Sequence, residues 1–146
     1  MITLRNQLDV NRPVAEVFDF IANVEGVPKW QPAVIESRRL SEGPLHIGSQ
    51  FRETAKFMGR QISTICEITE LEPMRRIAWR GTSSGPASYS AAYDLEADGT
   101  STRITIHGTF EFKGLWKLLE PFIGAEVRKE SQGELKAMKA AIEARK

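Results

Sequence analysis

Glu53 is the residue whose type and setting most readily suggest chemistry. It sits in the run Phe51-Arg52-Glu53-Thr54-Ala55-Lys56-Phe57. In a strand, alternate residues share a face, so Glu53 would lie with Phe51, Ala55 and Phe57 on the apolar side. A carboxylate there costs on the order of several kcal/mol if it stays charged and unpaired, so it must be paired, protonated or wet. Two readings follow. Glu53 is either a general acid/base or ligand anchor with a raised pKa, or a rim residue reaching solvent or an arginine. Tyr89 and Tyr93 share the inward side of another alternating run with Ala91 and Leu95. They would offer hydroxyls to a polar ligand group, or serve as core tyrosines with satisfied hydroxyls.

The other reactive residues form no set. His107 lies between Ile106 and Gly108, and alternation turns it outward beside Thr105 and Thr109, where a histidine is solvated. His46 falls in a turn region. Cys66 has no helix N-terminus or nearby histidine to activate it and reads as a buried, inert thiol. As the only cysteine it excludes an internal disulfide and suits a reducing compartment. His46, Cys66 and His107 do not have metal-ligand spacing, so no metal and no cofactor is expected. Ser83, Ser84, Ser88 and Ser90 cluster without a GxSxG turn around any of them. There is neither a phosphate-binding GxxxxGK loop nor a GxGxxG fingerprint. Arg75, Arg76 and Arg80 read as a solvated edge.

The elements that must position these residues follow from periodicity. Residues 2–10 alternate as a strand, and 13–23 repeat apolar residues at helical spacing, with Asn11 as a plausible cap, Pro13 in the first turn and Glu16 close behind. Gly26, Pro28 and Pro32 limit the next segment to a turn or so around Trp30. From there the period is 2 through six strands, at 34–40, 48–58, 62–71, 75–81, 88–97 and 102–112. Their short turns predict an antiparallel meander. On the third of these, Ile65 and Leu71 oppose the otherwise inward Ile62, Thr64, Cys66 and Ile68, which suggests a bulge. After Gly114 the helical period returns and runs to the end as one long amphipathic helix, which Pro121 should kink or restart. One helix over a curved seven-stranded sheet leaves a space unless large side chains fill it. Trp79, Tyr93 and Phe110 would line that inner face, with the small Ala55, Gly81, Ala91 and Gly108 between them. The space is then either a cavity or a core over which the helix packs closely.

With 146 residues the chain has room for one domain, 1–146. Its 20 basic and 19 acidic residues, net +1, remove the electrostatic reason to expect a nucleic-acid partner. No apolar stretch approaches the ~20 residues that span a bilayer, and the first residues lack a signal peptide's apolar core. These features lead to the expectation of a cytoplasmic protein without membrane insertion.

The chain resembles the START-like (SRPBCC) superfamily, and within it the bacterial polyketide cyclase/dehydrase and lipid-transport group. The resemblance spans nearly the whole length. It rests on the opening strand, on Arg12-Pro13-Val14-Ala15-Glu16-Val17-Phe18-Asp19-Phe20-Ile21-Ala22-Asn23 and on Pro28-Lys29-Trp30. It continues through Gly48-Ser49-Gln50-Phe51, Glu70-Leu71-Glu72-Pro73, Gly99-Thr100-Ser101-Thr102-Arg103 and Leu118-Leu119-Glu120-Pro121. It implies an α+β helix-grip fold that holds an apolar ligand between sheet and helix, with Trp30, Trp79 and Tyr93 as cavity walls. The function expected is binding or carriage of a small hydrophobic or amphipathic molecule by a monomer or homodimer. Trp30, Phe57, Trp79, Tyr89, Tyr93, Gly108, Phe110 and Phe122 would contact the ligand and Glu53 would orient its polar end. Access is expected near Trp30, loop 82–86 and Pro121. Two alternatives remain: a cofactor-independent cyclase/dehydratase with Glu53 as the candidate catalytic group, and a co-chaperone-like module with an exposed apolar patch on the last helix.

Overall fold

A computed structural model describes residues 1–57, 59–83 and 87–144. Strand β1 (Ile2–Val10) leads into helix α1 (Val14–Ala22) and a 3-10 helix (Val24–Lys29). The meander follows as β2 (Val34–Arg39), β3 (Gln50–Phe57), β4 (Arg60–Glu72), β5 (Arg76–Ser83), β6 (Ala87–Asp98) and β7 (Ser101–Phe112). A second 3-10 helix (Gly114–Leu119) and helix α2 (Glu120–Ala144) complete the chain. The seven strands form one antiparallel sheet in the order β1-β7-β6-β5-β4-β3-β2, so the meander closes on β1 rather than on its own first strand. This is the expected α+β helix-grip arrangement.

Helix α2 runs alongside β1 and is tied to it at both ends. The amino group of Met1 lies 2.8 Å from the Glu120 carboxylate. At the far end Lys139 Nζ donates to the Asp9 carbonyl at 2.7 Å, and the Asn11 amide donates to Glu143 Oε2 at 2.9 Å. Arg12 donates to the Glu143 carbonyl. The capping of α1 departs from expectation: the N-cap position is Pro13, in extended conformation, and Asn11 lies outside the helix. Its buried stripe is Val17, Phe18 and Ile21.

The β4 bulge falls where Ile68 pairs with Trp79 but Glu70 pairs with Ala78, leaving Thr69 as the extra residue. That insertion switches faces, so Leu71 lies opposite the inward Ile77 and packs on the core. Ile65, before the bulge, stays on the outer face.

The last apolar run is two elements rather than one helix. Gly114, at φ 65°, turns the chain out of β7. The 3-10 helix then ends at Leu119, and α2 restarts with Pro121 in its first turn, where a missing N–H costs no hydrogen bond. The change of period resets the phase of the stripe. Ile123, Val127, Met138 and Ile142 face inward, whereas Leu115, Leu118, Leu119 and Phe122 face solvent. Phe122 is 75% exposed, so its assignment to the inner wall is corrected here.

Apolar packing divides into two clusters. The larger joins α1, the first 3-10 helix, the middle of the sheet and the C-terminal half of α2, through Ile21, Trp30, Phe51, Trp79, Tyr93 and Met138. The smaller joins Ile2, Phe112, Ile123 and Val127 at the N-terminal half of α2, with Leu4, Phe110 and Trp116 against it.

Candidate functional site

The site is built on one cross-strand row. The register places Phe51, Cys66, Gly81, Tyr89, Phe110 and Ile2 side by side on β3, β4, β5, β6, β7 and β1. Gly81 is the necessary gap in that row. A Cβ there would lie 2.4 Å from Tyr89 Cε1 and 2.7 Å from Thr64 Cγ2. With hydrogen in its place, the Tyr89 ring lies across β5 and its hydroxyl reaches the groups on β4 and β3.

There it donates to Glu53 Oε1. The Cys66 thiol donates to the same oxygen at 3.3 Å and lies 3.2 Å from Tyr89 Oη. Trp79 Nε1 donates to Tyr89 Oη at 3.2 Å. Side chains from four strands therefore form one hydrogen-bonded group, in which Tyr89 and Cys66 share Glu53 Oε1 and Trp79 holds Tyr89. Glu53 is only 4% exposed, and its Oε2 is buried without a hydrogen-bond partner among the described residues. Directly opposite, across the β2–β3 pair, Ser37 Oγ is likewise buried and unpartnered.

Burial pushes the Glu53 carboxyl above its ordinary range, and the hydrogen bonds from Tyr89 and Cys66 only partly oppose it. The Cys66 thiol is pushed up by burial and by the neighbouring Glu53 charge. Tyr89 is raised well above its usual value by the same two causes. The Cys66 thiol and the Tyr89 hydroxyl therefore keep their protons at neutral pH.

From the helix side comes Glu134. The inward stripe of α2 reads Ile123, Val127, Ser131, Glu134, Met138 and Ile142, at steps of three and four. Burial, with the Glu130 and Glu53 carboxyls nearby, pushes Glu134 up to about 7. The Tyr93 hydroxyl accepts from Gln31 Nε2 at 3.3 Å and is raised by burial and by the Glu134 and Glu53 carboxyls.

Aromatic rings frame this polar group. Trp30 meets Tyr93 edge-on at 5.5 Å, Trp79 lies 5.2 Å from Tyr93 and 5.6 Å from Phe51, and Tyr89 stacks on Phe110 at 5.9 Å. Of the expected ligand residues, Trp30, Glu53, Trp79, Tyr89 and Tyr93 converge. Phe110 and the half-buried Gly108 lie beside Tyr89 towards β1, with Phe110 Cε2 3.8 Å and Leu4 Cβ 3.9 Å from where a Gly108 Cβ would be. Phe122 stands apart, and the Phe57 side chain lies outside the described residues. Trp30 is 2% exposed, which places it in the core and not at an opening. Of loop 82–86, residues 84–86 lie outside the described residues.

The inner face is unevenly buried. Phe51, Cys66, Ile68, Ile77, Trp79 and Ile104 are buried, whereas Leu4, Ala55, Ala91, Ile106, Gly108 and Phe110 remain partly exposed on the same face. Of these, Leu4 and Phe110 pack against the smaller cluster at the N-terminal part of α2, and Ala55, Ala91 and Ile106 pack against the larger one. Two concavities lie away from this face. One, of about 430 Å3, is on the outer face around Arg75, Arg76, Asp94 and Glu96; the other, of about 410 Å3, lies between α1 and the end of α2 around Asp19, Phe20 and Ala141. In the outer one Arg76 bridges Asp94 at 2.6 Å and Glu70 at 2.7 Å, and His107 Nε2 lies 3.0 Å from Asp94. Among the described residues no three metal-ligating side chains cluster, and no helix is long and apolar enough to cross a membrane.

Sequence reasoning missed Cys66 as a partner of Glu53, and it missed Ser37, Gln31 and Glu134. The last was within reach, because Glu134 is seven residues after Val127 and four before Met138 on one apolar stripe.

Solved structures share the fold. A START superfamily protein from Mycobacterium smegmatis matches with a TM-score of 0.82 at 15% identity, covering 97% of each chain. The Zhui aromatase/cyclase from a Streptomyces species matches at 0.81 and 19%, covering 98% of this chain and 94% of its own. Ara h 8.0201 matches at 0.73 and 21%, covering 98% of both. At these identities the likeness is one of fold. A search of curated protein sequences finds no match. The family model described as polyketide cyclase / dehydrase and lipid transport matches residues 1–143, and the chain belongs to that family.

Proposed function

We propose that the protein binds and carries a small amphipathic molecule between the sheet and α2, with its polar end at Glu53 and its apolar body towards Phe110 and Leu4. One observation carries this reading: a carboxyl buried among aromatic rings whose Oε1 is held by Tyr89 and Cys66 while Oε2 has no partner. A buried polar atom in that state costs about 1–3 kcal/mol, which a guest's hydrogen bond would recover. Partial exposure of Ala91, Ile106, Gly108 and Phe110 supports space for the apolar part. Burying roughly 300 Å2 of guest at about 25 cal/mol per Å2 supplies about 7 kcal/mol before ordering costs. The exposed Leu115, Leu118, Leu119 and Phe122 form the rim by which it enters.

Native mass spectrometry of the freshly purified protein, paired with tryptophan quenching by added amphiphiles, tests this. A retained small molecule, or saturable quenching that weakens in Glu53→Gln, is the expected result. A protein that carries nothing and shows no saturable quenching with any amphiphile refutes it. A second reading, a cyclase or dehydratase, is favoured by the Tyr89–Glu53 hydrogen bond and the raised Glu53 carboxyl, which suit a general acid. It requires that Glu53→Gln abolish turnover while binding persists; unchanged turnover rejects it.

A further inference from the structure

The ionisable groups that are hydrogen-bonded to Glu53 or coupled to it by charge are all acids. Cys66 comes from β4, Tyr89 and Tyr93 from β6, and Glu134 from α2 with Glu130 behind it. The cationic side chain that β-pairing puts on the same face is Arg39, opposite Phe51; its Nη2 donates to the Gly43 carbonyl at 2.7 Å in the β2–β3 connection, and its Nε is buried without a partner among the described residues. Glu53 and Glu134 therefore stand on opposite walls of the space, one on the sheet and one on the helix. The 4%-exposed Glu53 presents an unpartnered oxygen, with the unpartnered Ser37 hydroxyl beside it.

We propose that the space selects amphiphiles whose buried end is uncharged or basic, an alcohol, ketone or amine, and rejects carboxylate lipids; this rests on the binding reading above. A neutral Glu53 carboxyl donates to a hydroxyl or carbonyl oxygen, and an ionised one accepts from a hydroxyl or an ammonium. An amine would also supply the positive charge that the two glutamates lack. A fatty-acid carboxylate can accept from a neutral Glu53, but it brings a third negative group to a space that already holds two acids. It must be buried ionised against Glu134, or take up a proton at a cost set by its own low pKa. Charge on the wall thus decides the polar end, while the aromatic and aliphatic rows accept any apolar body.

The test compares dodecanol, dodecylamine and laurate, equal in chain length, by tryptophan quenching at pH 7.5 below their aggregation limits. Wild type is expected to bind the alcohol and the amine at least tenfold more tightly than laurate, which is about 1.4 kcal/mol. In Glu134→Gln the amine should lose affinity and laurate should gain it, while the alcohol changes least. Laurate binding as tightly as dodecanol, with no gain in the variant, overturns the charge selection and leaves the binding reading standing. Failure of all three to bind, and of their eight- and sixteen-carbon analogues, overturns the binding reading itself.

Discussion

Replacing Glu134 by glutamine isolates the energetic cost of the acidic wall. The side chain belongs to the inward stripe of α2, and its carboxyl is raised from an ordinary 4.5 to about 7, first by burial and then by the Glu130 and Glu53 carboxyls. The sign is fixed by linkage. Between pH 4.5 and about 7 the folded protein keeps a proton there that the unfolded chain releases, so stability falls as pH rises through this window and levels off above it. At about 1.36 kcal/mol per unit the loss is at most about 3 kcal/mol, and partial exposure of the residue lowers it to about 1–3 kcal/mol. Glutamine has nearly the shape of the protonated acid and no charge to desolvate. Glu134→Gln should therefore match wild type at pH 4.5 and exceed it by about 1–3 kcal/mol at pH 8. Glu53, raised in the same direction, keeps part of the slope in both proteins. Urea unfolding at pH 4.5, 6, 7 and 8 measures the difference directly. If the gap between the two proteins is the same at pH 4.5 and pH 8, or if the variant is the weaker at pH 8, the placement of Glu134 against the buried site is wrong.

Two further substitutions probe the sheet side. Gly81→Ala should cost about 1–3 kcal/mol, because its Cβ would fall 2.4 Å from the Tyr89 ring and displace the hydroxyl from Glu53. In a Tyr89→Ala background the same change should cost clearly less, and a double-mutant cycle showing additive costs would place the obstacle elsewhere. The Cys66 thiol, buried and pushed up, should resist an aromatic disulfide reagent in the native protein at pH 8 and react only as fast as the chain unfolds. A fast native reaction means that this part of the inner face is open to water.

Face assignment was legible because β3, β5 and β6 alternate without interruption, which turns Glu53, Trp79, Tyr89 and Tyr93 to one face. What a small residue on that face means was not legible. Gly81, Ala91 and Gly108 look alike in sequence, as spaces left among large side chains. Gly81 instead receives the Tyr89 ring, whereas Ala91 and Gly108 stay partly exposed. Only the cross-strand register, which pairs Gly81 with both Cys66 and Tyr89, separates the two cases. Phe122 was misplaced for a different reason. Helical spacing from Leu115 onward is continuous in sequence, but a 3-10 segment advances about 120° per residue and an α-helix about 100°, so phase is lost at the junction. Counting back from Ile142 instead of forward from Leu115 would have kept Ile123 and Val127 inside and left Phe122 out.

The placement of the two glutamates is also informative about what the fold gives up. Glu134 lies on the inward stripe between Val127 and Met138, and Ser131 beside it is buried too, so the stripe turns polar where the two apolar clusters meet. A leucine at 134 would continue the stripe, and a leucine or glutamine at 53 would remove the most buried acid on the sheet. The chain carries acids at both positions, facing each other from elements 81 residues apart in sequence. Local rules for cheap packing are broken twice at one place, and the Glu53 charge adds to the burial that raises the proton affinity of Glu134. A core selected for stability alone has no use for such a pair. A surface that must recognise one end of a guest does, since hydrogen-bonding groups held out of water are the ones whose pairing discriminates most between ligands. On this argument the cost of the pair and the selectivity of the site are one quantity. Glu134→Gln should gain stability at pH 8 and lose discrimination between alcohol and carboxylate together, and a variant that did only one of these would break the link.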